Sequence, residues 1–452
     1  MRPSLRRIGI PAVTLALLVV PGSPVAATLA ERTAVPATSQ TPESVEEGLW
    51  YVDAAGLDEA HRVSTGEGVT VAVVDTPINP DVADLIGADL HVHEPAFCRD
   101  VNVDGQYDPA RSTAAEAEHG TQMASIVVGT GAGADGQPGI AGVAPGATVR
   151  HYVARTGLQG GFCATTEGTP SAGPALRQAI DDGAQIISLS TGGAMHTDEI
   201  AQIARALREG VIVVSSRPND PIPTYPRDLE ESNGVITVES AAYDGSLAPG
   251  ATGSPTKDVV APGVSIRGLV AGPDQSWHEY GTSSGTSNAT AYTSAALALV
   301  WSAHPEATGN QIIQTLLRHT YQNSGELTRH DDLIGYGSVS VLNMLDADPT
   351  SYPDANPLII GGTDALPSLD EITMNSDAPE ASVAPGTVGA DSDASGDTDP
   401  PAPSAGTAGS FPWWLVAVAL ALVALLVAVS LLKRRRTLSS PTMSPPPPGG
   451  HP

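Results

Sequence analysis

An α/β fold with a central, mostly parallel sheet is what this sequence predicts, and two observations predict it. Short β-branched runs alternate with helical patterns through roughly residues 48–345. Chemistry-bearing residues also follow those runs directly, as in a parallel sheet, where functional groups gather at the carboxyl ends of strands. In chain order, 69–74 (VTVAVV) reads as a buried strand ending just before Asp75. A Gly- and Ala-rich helix follows at 122–128, then a strand at 148–154 and a helix at 174–182. Strand 186–190, helix 198–209, strand 211–216 and strand 235–239 complete the set. Strands joined through helices in this way form a sheet covered on both faces.

Charge narrows the function. The 452 residues carry 22 Lys+Arg against 50 Asp+Glu, a formal net charge of −28. Several of those bases sit at the two ends, at Arg2, Arg6 and Arg7 and at 433–436, so the chain between them is more acidic still. Such a balance excludes a nucleic-acid binder that works through phosphate contacts. With 41% hydrophobic residues the chain has enough apolar material for a core.

The flanks read as targeting and anchoring segments. Residues 1–27 have a basic head, a short apolar body and a small-residue exit, the pattern of a secretory signal peptide. Residues 28–47 are a short N-terminal extension. At the other end, 411–432 is uncharged and spans about 33 Å as a helix, enough to cross a bilayer. Trp413 and Trp414 stand at its entry and 433–436 (KRRR) at its exit. That arrangement predicts a single-pass membrane protein with the large domain outside and a basic, Pro-rich tail (433–452) in the cytoplasm. The segment 346–410, rich in Pro, Ala, Gly, Ser and Asp, is expected to be a disordered acidic stalk.

Three segments carry the chemistry: GVTVAVVDTPINP around Asp75, HGTQMASIVVG around His119 and SGTSNATAYTSAALALV around Ser287. A serine becomes nucleophilic only beside a base, and a histidine base needs an acid to hold its tautomer and stabilise its cation. His119 and Ser287 each open a helix, where backbone N–H groups and the helix dipole favour a developing anion. Gly281-Thr282-Ser283 repeats the motif around Ser287, but only Ser287 is followed by small residues and a helix.

These segments, in the order Asp, His, Ser, resemble the subtilases, and the resemblance spans roughly 50–345. IAGVAPGATV (140–149), IISLSTGG (186–193), KDVVAPG (257–263) and IGYGSVSVLNML (334–345) look like further landmarks of that family. The resemblance implies a subtilisin-like three-layer fold and a serine endopeptidase with Asp75, His119 and Ser287 as its triad. It implies that Asn219 donates into an oxyanion hole. It further implies that Ser190, Thr191, Gly192 and Gly193 line the primary specificity pocket, beside an edge that binds extended peptide. The chain departs from the family pattern at Pro77, at Arg217-Pro218 and at Ala291. A signal peptide, almost no room for a pro-domain, a Pro-rich stalk and one membrane helix resemble the mycosins, the anchored proteases of type VII secretion systems. By that resemblance the substrates are exported proteins and the partner is a membrane secretion complex. The alternative is a degenerate subtilase retained as a scaffold of such a complex.

Two smaller expectations complete the reading. Cys98 and Cys163 are the only cysteines of an exported chain and are expected to pair. The run DVNVDGQYD places Asp100, Asn102, Asp104 and Asp108 as in the start of a calcium loop, with Gly105 at the turn. Arg111 stands where the bidentate Glu would be, so weak structural calcium and a plain acidic turn both stay open. No cofactor is otherwise required. His91, His93 and Glu94 have metal-like spacing but no third partner nearby, and read as a loop.

Overall fold

A computed structural model describes residues 47–99, 106–156, 163, 171–190, 192, 194–219, 228–362 and 365–374. The expected signal peptide, the stalk beyond 374, the membrane helix and the tail lie outside the described residues. No helix among the described residues is long and apolar enough to cross a membrane.

The chain enters through two short helices, α1 (Trp50–Ala55) and α2 (Leu57–Ala60), broken by Gly56 in the left-handed conformation. Strand β1 (Thr70–Asp75) and the short β2 (Leu90–Val92) follow, then α3 (Glu118–Val128). A small ribbon, β3 (Thr130–Ala132) with β4 (Pro138–Ala141), leads to β5 (Thr148–Val153) and α4 (Gly173–Asp181). Next come β6 (Ile186–Leu189), α5 (Thr197–Arg208), β7 (Ile212–Ser216), β8 (Ile236–Ala241) and β9 (Val259–Pro262). A second ribbon, β10 (Ile266–Val270) with β11 (Glu279–Ser283), precedes the long α6 (Thr286–Ala303). The described chain closes with α7 (Gly309–Arg318), α8 (Val341–Leu345) and α9 (Leu369–Thr373).

Seven strands form one sheet in the order β2-β5-β1-β6-β7-β8-β9, and every neighbouring pair is parallel. The alternation of side chains along a strand sends Val71 and Val73 to one face and Ala72 and Val74 to the other. The first face packs on α3, α6 and α7, and the second on α4 and α5. This is the three-layer α/β fold the sequence predicts. Helix α6 is buried almost all round, which explains its run of Ala and the apolar residues after it. Its buried hydroxyls, Thr290, Thr293 and Ser294, donate back to carbonyls four residues earlier, so none is left unsatisfied.

Strand order fixes where a site can form. From β1 the chain moves to one side, through β2 and β5, and then crosses to the other side at β6. The carboxyl ends at such a reversal bound a crevice.

The expected start of the stalk at 346 needs correction. Residues 346–362 and 365–374 pack on the domain: Ile372 is buried against the second face, and Asn356 Nδ2 donates to Gly234 O at 2.7 Å. Asn233 donates from its backbone N to Leu366 O (2.8 Å) and from Nδ2 to Pro367 O (3.0 Å). Polar composition concealed a few well-placed anchors.

Asp258, fully enclosed beside β9, accepts from Thr237 N at 2.8 Å, and burial pushes its carboxyl up to about 7 against the pull of Arg329 and Arg217. A carboxyl raised in the folded state holds its proton there while the unfolded chain releases it. Stability therefore falls as pH rises from about 4 to about 7. The Asp258→Asn variant keeps the acceptor and removes the titration. In urea titrations at pH 4.5 and pH 8, the wild type should lose roughly 3 kcal/mol more than the variant. Equal losses would refute this.

Candidate active site

Asp75 ends β1, so its side chain stands at the carboxyl edge of the sheet, completely buried. Its Oδ1 accepts from Thr76 N at 2.7 Å and is 2.6 Å from His119 Nδ1. Burial alone would push this carboxyl up. The charge and hydrogen bond of His119, with the Thr76 N–H, instead hold it below the ordinary carboxylate range.

His119 is the second residue of α3, and Gly120 is what lets that helix approach. A Cβ at Gly120 would lie 2.5 Å from Pro77 O and 2.6 Å from Thr76 O. Thr76 ties the contact further, because its Oγ1 accepts from Gly120 N at 3.0 Å. Behind it, the fully buried His151 of β5 places Nε2 2.8 Å from Thr76 O. Burial holds His151 below its ordinary range, consistent with a neutral ring donating from Nε2. No local pattern marks this residue; only the pairing of β5 beside β1 brings it there.

Ser287 is the second residue of α6, with Gly285 as its N-cap, so its backbone N–H is among those a helix start leaves unpaired. Its hydroxyl donates to Ser190 O at 2.8 Å, and Ser190 Oγ donates to Ser287 O at 3.1 Å. His119 Nε2 is enclosed and makes no hydrogen bond. Asp75 and His119 are thus joined, while Ser287 shares their cleft with its hydroxyl turned to the end of β6.

Asn219 follows β7 and is exposed at the same cleft. Thr286 N donates to its Oδ1 at 2.9 Å, and Thr286 Oγ1 bonds both Asn219 Oδ1 and Arg217 O. That clamp fixes the amide oxygen and leaves Nδ2 as the end available to the cleft. A Cβ on Gly285 would stand 3.3 Å from Asn219 Oδ1, so a side chain there would press on the amide. The Arg217 side chain points away, with Nη1 3.2 Å from Glu231 Oε1 and 3.3 Å from Thr256 Oγ1. The departure at Arg217-Pro218 therefore leaves Asn219 beside the start of α6.

Ser283, the repeat of the motif, is occupied: Gln122 Nε2 donates to its Oγ at 2.6 Å and Asn288 Nδ2 at 3.0 Å. Of the expected pocket residues, Ser190 and Gly192 are described, while Thr191 and Gly193 lie outside the described residues. So do Asp100, Asn102 and Asp104. Asp108 is described and donates from its backbone N to Cys98 O at 2.9 Å. Among the described residues no group of three His, Cys, Asp or Glu could hold a metal. His91 instead pairs with Asp89, and Glu94 accepts from Ala110 N.

A subtilase family model matches residues 66–337 of this chain. The chain belongs to the subtilase family. Fervidolysin of Fervidobacterium pennivorans is 28% identical over 319 residues, covering 66% of this chain and 44% of fervidolysin. Mycosin-1 of Mycobacterium tuberculosis is 28% identical over 354 residues, covering 68% of this chain and 75% of its own length. This subtilase thus spans about half of one relative and three quarters of the other. The crystal structure of fervidolysin, a keratinolytic enzyme related to subtilisin, matches with a TM-score of 0.53 at 24% identity, covering 72% and 49% of the two chains. That of MycP1 from the ESX-1 type VII secretion system matches with a TM-score of 0.52 at 20% identity, covering 68% and 88%. These likenesses establish the fold.

Cys98 and Cys163 form a disulfide, with both residues buried beside Val153 at the end of β5. The bridge ties two loops near Asp75, since Ala154, next to Val153, donates from N to Asp75 O and accepts at O from Cys163 N. Closing a loop with a sequence separation of 65 contributes about 4 kcal/mol in the chain-entropy model. Reduction, or Cys98→Ser with Cys163→Ser, should lower the melting temperature by several degrees. An unchanged melting curve would remove the bridge from the stability argument.

Proposed function

We propose that this subtilase is a membrane-anchored serine endopeptidase that cuts exported proteins outside the membrane, as a mycosin-like component of a type VII secretion system. The observation that supports it best is the buried 2.6 Å contact between Asp75 and His119 in a cleft shared with Ser287 and Asn219. In the reaction, Ser287 Oγ turns from Ser190 O toward His119 Nε2, which takes its proton as the oxygen attacks a peptide carbonyl. Hydrogen bonds between catalytic groups often form only with substrate bound, so the resting bond to Ser190 is compatible with this. Asp75 holds Nδ1–H and stabilises the cation. The carbonyl oxygen gains negative charge and accepts from Ser287 N–H and Asn219 Nδ2. His119 then returns the proton to the leaving amine, and water repeats the sequence on the acyl-enzyme.

Export through residues 1–27, a stalk beyond 374 and anchoring by 411–432 belong to the same proposal. The similarity to Mycosin-1 supports it. A scaffold without chemistry is the second reading, favoured by the Ser287 hydroxyl resting on Ser190 O. A fluorophosphonate probe applied to isolated membranes decides between them. Covalent labelling at Ser287 is the expected result, and absence of label under conditions that label a related protease would favour the scaffold.

A further inference from the structure

Among the described residues, one buried acid outside the proposed mechanism has an oxygen with no hydrogen-bond partner. Glu230 lies in the turn before β8, 2% exposed, and its Oε2 is enclosed without any hydrogen-bond partner. Burial pushes its carboxyl up. An unpartnered carboxylate oxygen inside a protein is costly unless something arrives to complete it.

Its position says what could arrive. A Cβ built on Gly192 would stand 3.5 Å from Glu230 Oε2 and 3.8 Å from Ser216 O. The carboxylate therefore lies where the segment after β6 faces the end of β7. The same two segments carry Ser190, whose carbonyl takes the Ser287 hydroxyl, and Asn219, clamped by Thr286. Gly192 is two residues beyond Ser190, at most about 7 Å of chain, a distance that a long side chain held at Ser190 can span. A side chain at 192 would lie against the carboxylate, and glycine has none. Arg217 is near enough for its charge to pull the Glu230 carboxyl down, but its Nη1 bonds Glu231 and Thr256 and no hydrogen bond reaches Oε2. What Oε2 lacks is a hydrogen-bond donor.

We propose that Glu230 determines specificity by selecting Lys or Arg as the substrate residue that supplies the scissile carbonyl. The inference rests on the endopeptidase reading. The incoming ammonium or guanidinium gives Oε2 its missing charge-assisted bond, whereas an apolar side chain of similar length buries the carboxylate still deeper without one.

Two measurements on the full chain in detergent test it. The first is fluorescence of p-aminobenzamidine, a small cation that needs no catalysis to bind. Wild type and Ser287→Ala should bind it, with affinity falling about 10- to 100-fold in Glu230→Gln, the worth of one charge-assisted bond. The second compares peptides that differ only in Arg or Leu before the cleaved bond. Wild type should prefer Arg by a similar factor, and Glu230→Gln should lose or reverse that preference. Glu230→Asp, which keeps the charge on a shorter arm, should retain part of it and guards against a folding artefact. Preference for Leu in wild type, or an unchanged ratio in Glu230→Gln, overturns the assignment. If the cation binds in a Glu230-dependent way while neither peptide is cut, the pocket stands and the endopeptidase reading falls.

Discussion

Ser287→Ala is expected to lower turnover of any peptide substrate on the order of 10⁶-fold, with folding unchanged. The substitution removes one hydroxyl, whose partner is the backbone carbonyl Ser190 O. Alanine favours helix at this position in α6, so no secondary structure is lost. The melting temperature should stay within a degree or two of wild type. What disappears is the hydroxyl at the start of α6 that shares the cleft with the enclosed, unbonded Nε2 of His119. Ser283 cannot substitute, because Gln122 and Asn288 both donate to its oxygen. Initial rates and fluorophosphonate labelling, measured together, check the claim. Retention of both in Ser287→Ala would mean that another group attacks and that the proposed mechanism is wrong.

The sequence made much of this arrangement legible, for physical reasons. β-branched runs between helical segments dictate buried parallel strands, and the residues just past them must surface at one edge. That rule places Asp75 and the segment holding Asn219 at strand ends, while the roles expected of them came from the resemblance to the subtilases. His119 and Ser287 were visible because Gly and Ala around them mark helix starts that approach other backbone closely, as Gly120 does against Thr76 and Pro77. Contacts between distant segments were not legible. Thr286 holding Asn219, His151 beneath Thr76 and Glu230 facing Gly192 are consequences of strand order, which no local pattern encodes. Side-chain direction was equally hidden: Arg217, two residues before Asn219, turns away to pair with Glu231. The boundary at 346 failed because average composition outweighs single anchors such as Ile372 and Asn356.

Asp75→Asn should be the second most damaging change, lowering kcat by about 10⁴-fold while leaving a measurable residue of activity. Thr76 N–H donates to Oδ1, so in the variant the amide oxygen is favoured at that position, with the NH₂ group where Oδ2 now lies enclosed without a partner. His119 Nδ1–H then retains an acceptor, and the ring keeps its orientation. It loses the charge. In a site with no exposed surface on the acid, the imidazolium that forms as Ser287 gives up its proton would lack a counter-ion. Stability provides an independent check. A carboxyl held below its ordinary range stabilises the folded state above the unfolded carboxylate pKa, and that contribution is lost as pH falls through the folded value. The variant should therefore be less stable than wild type near neutrality, and the gap should close in acid. A kcat within tenfold of wild type, or a stability gap that does not shrink as pH falls, would show that Asp75 neither supports the cation nor owes its ionisation to His119.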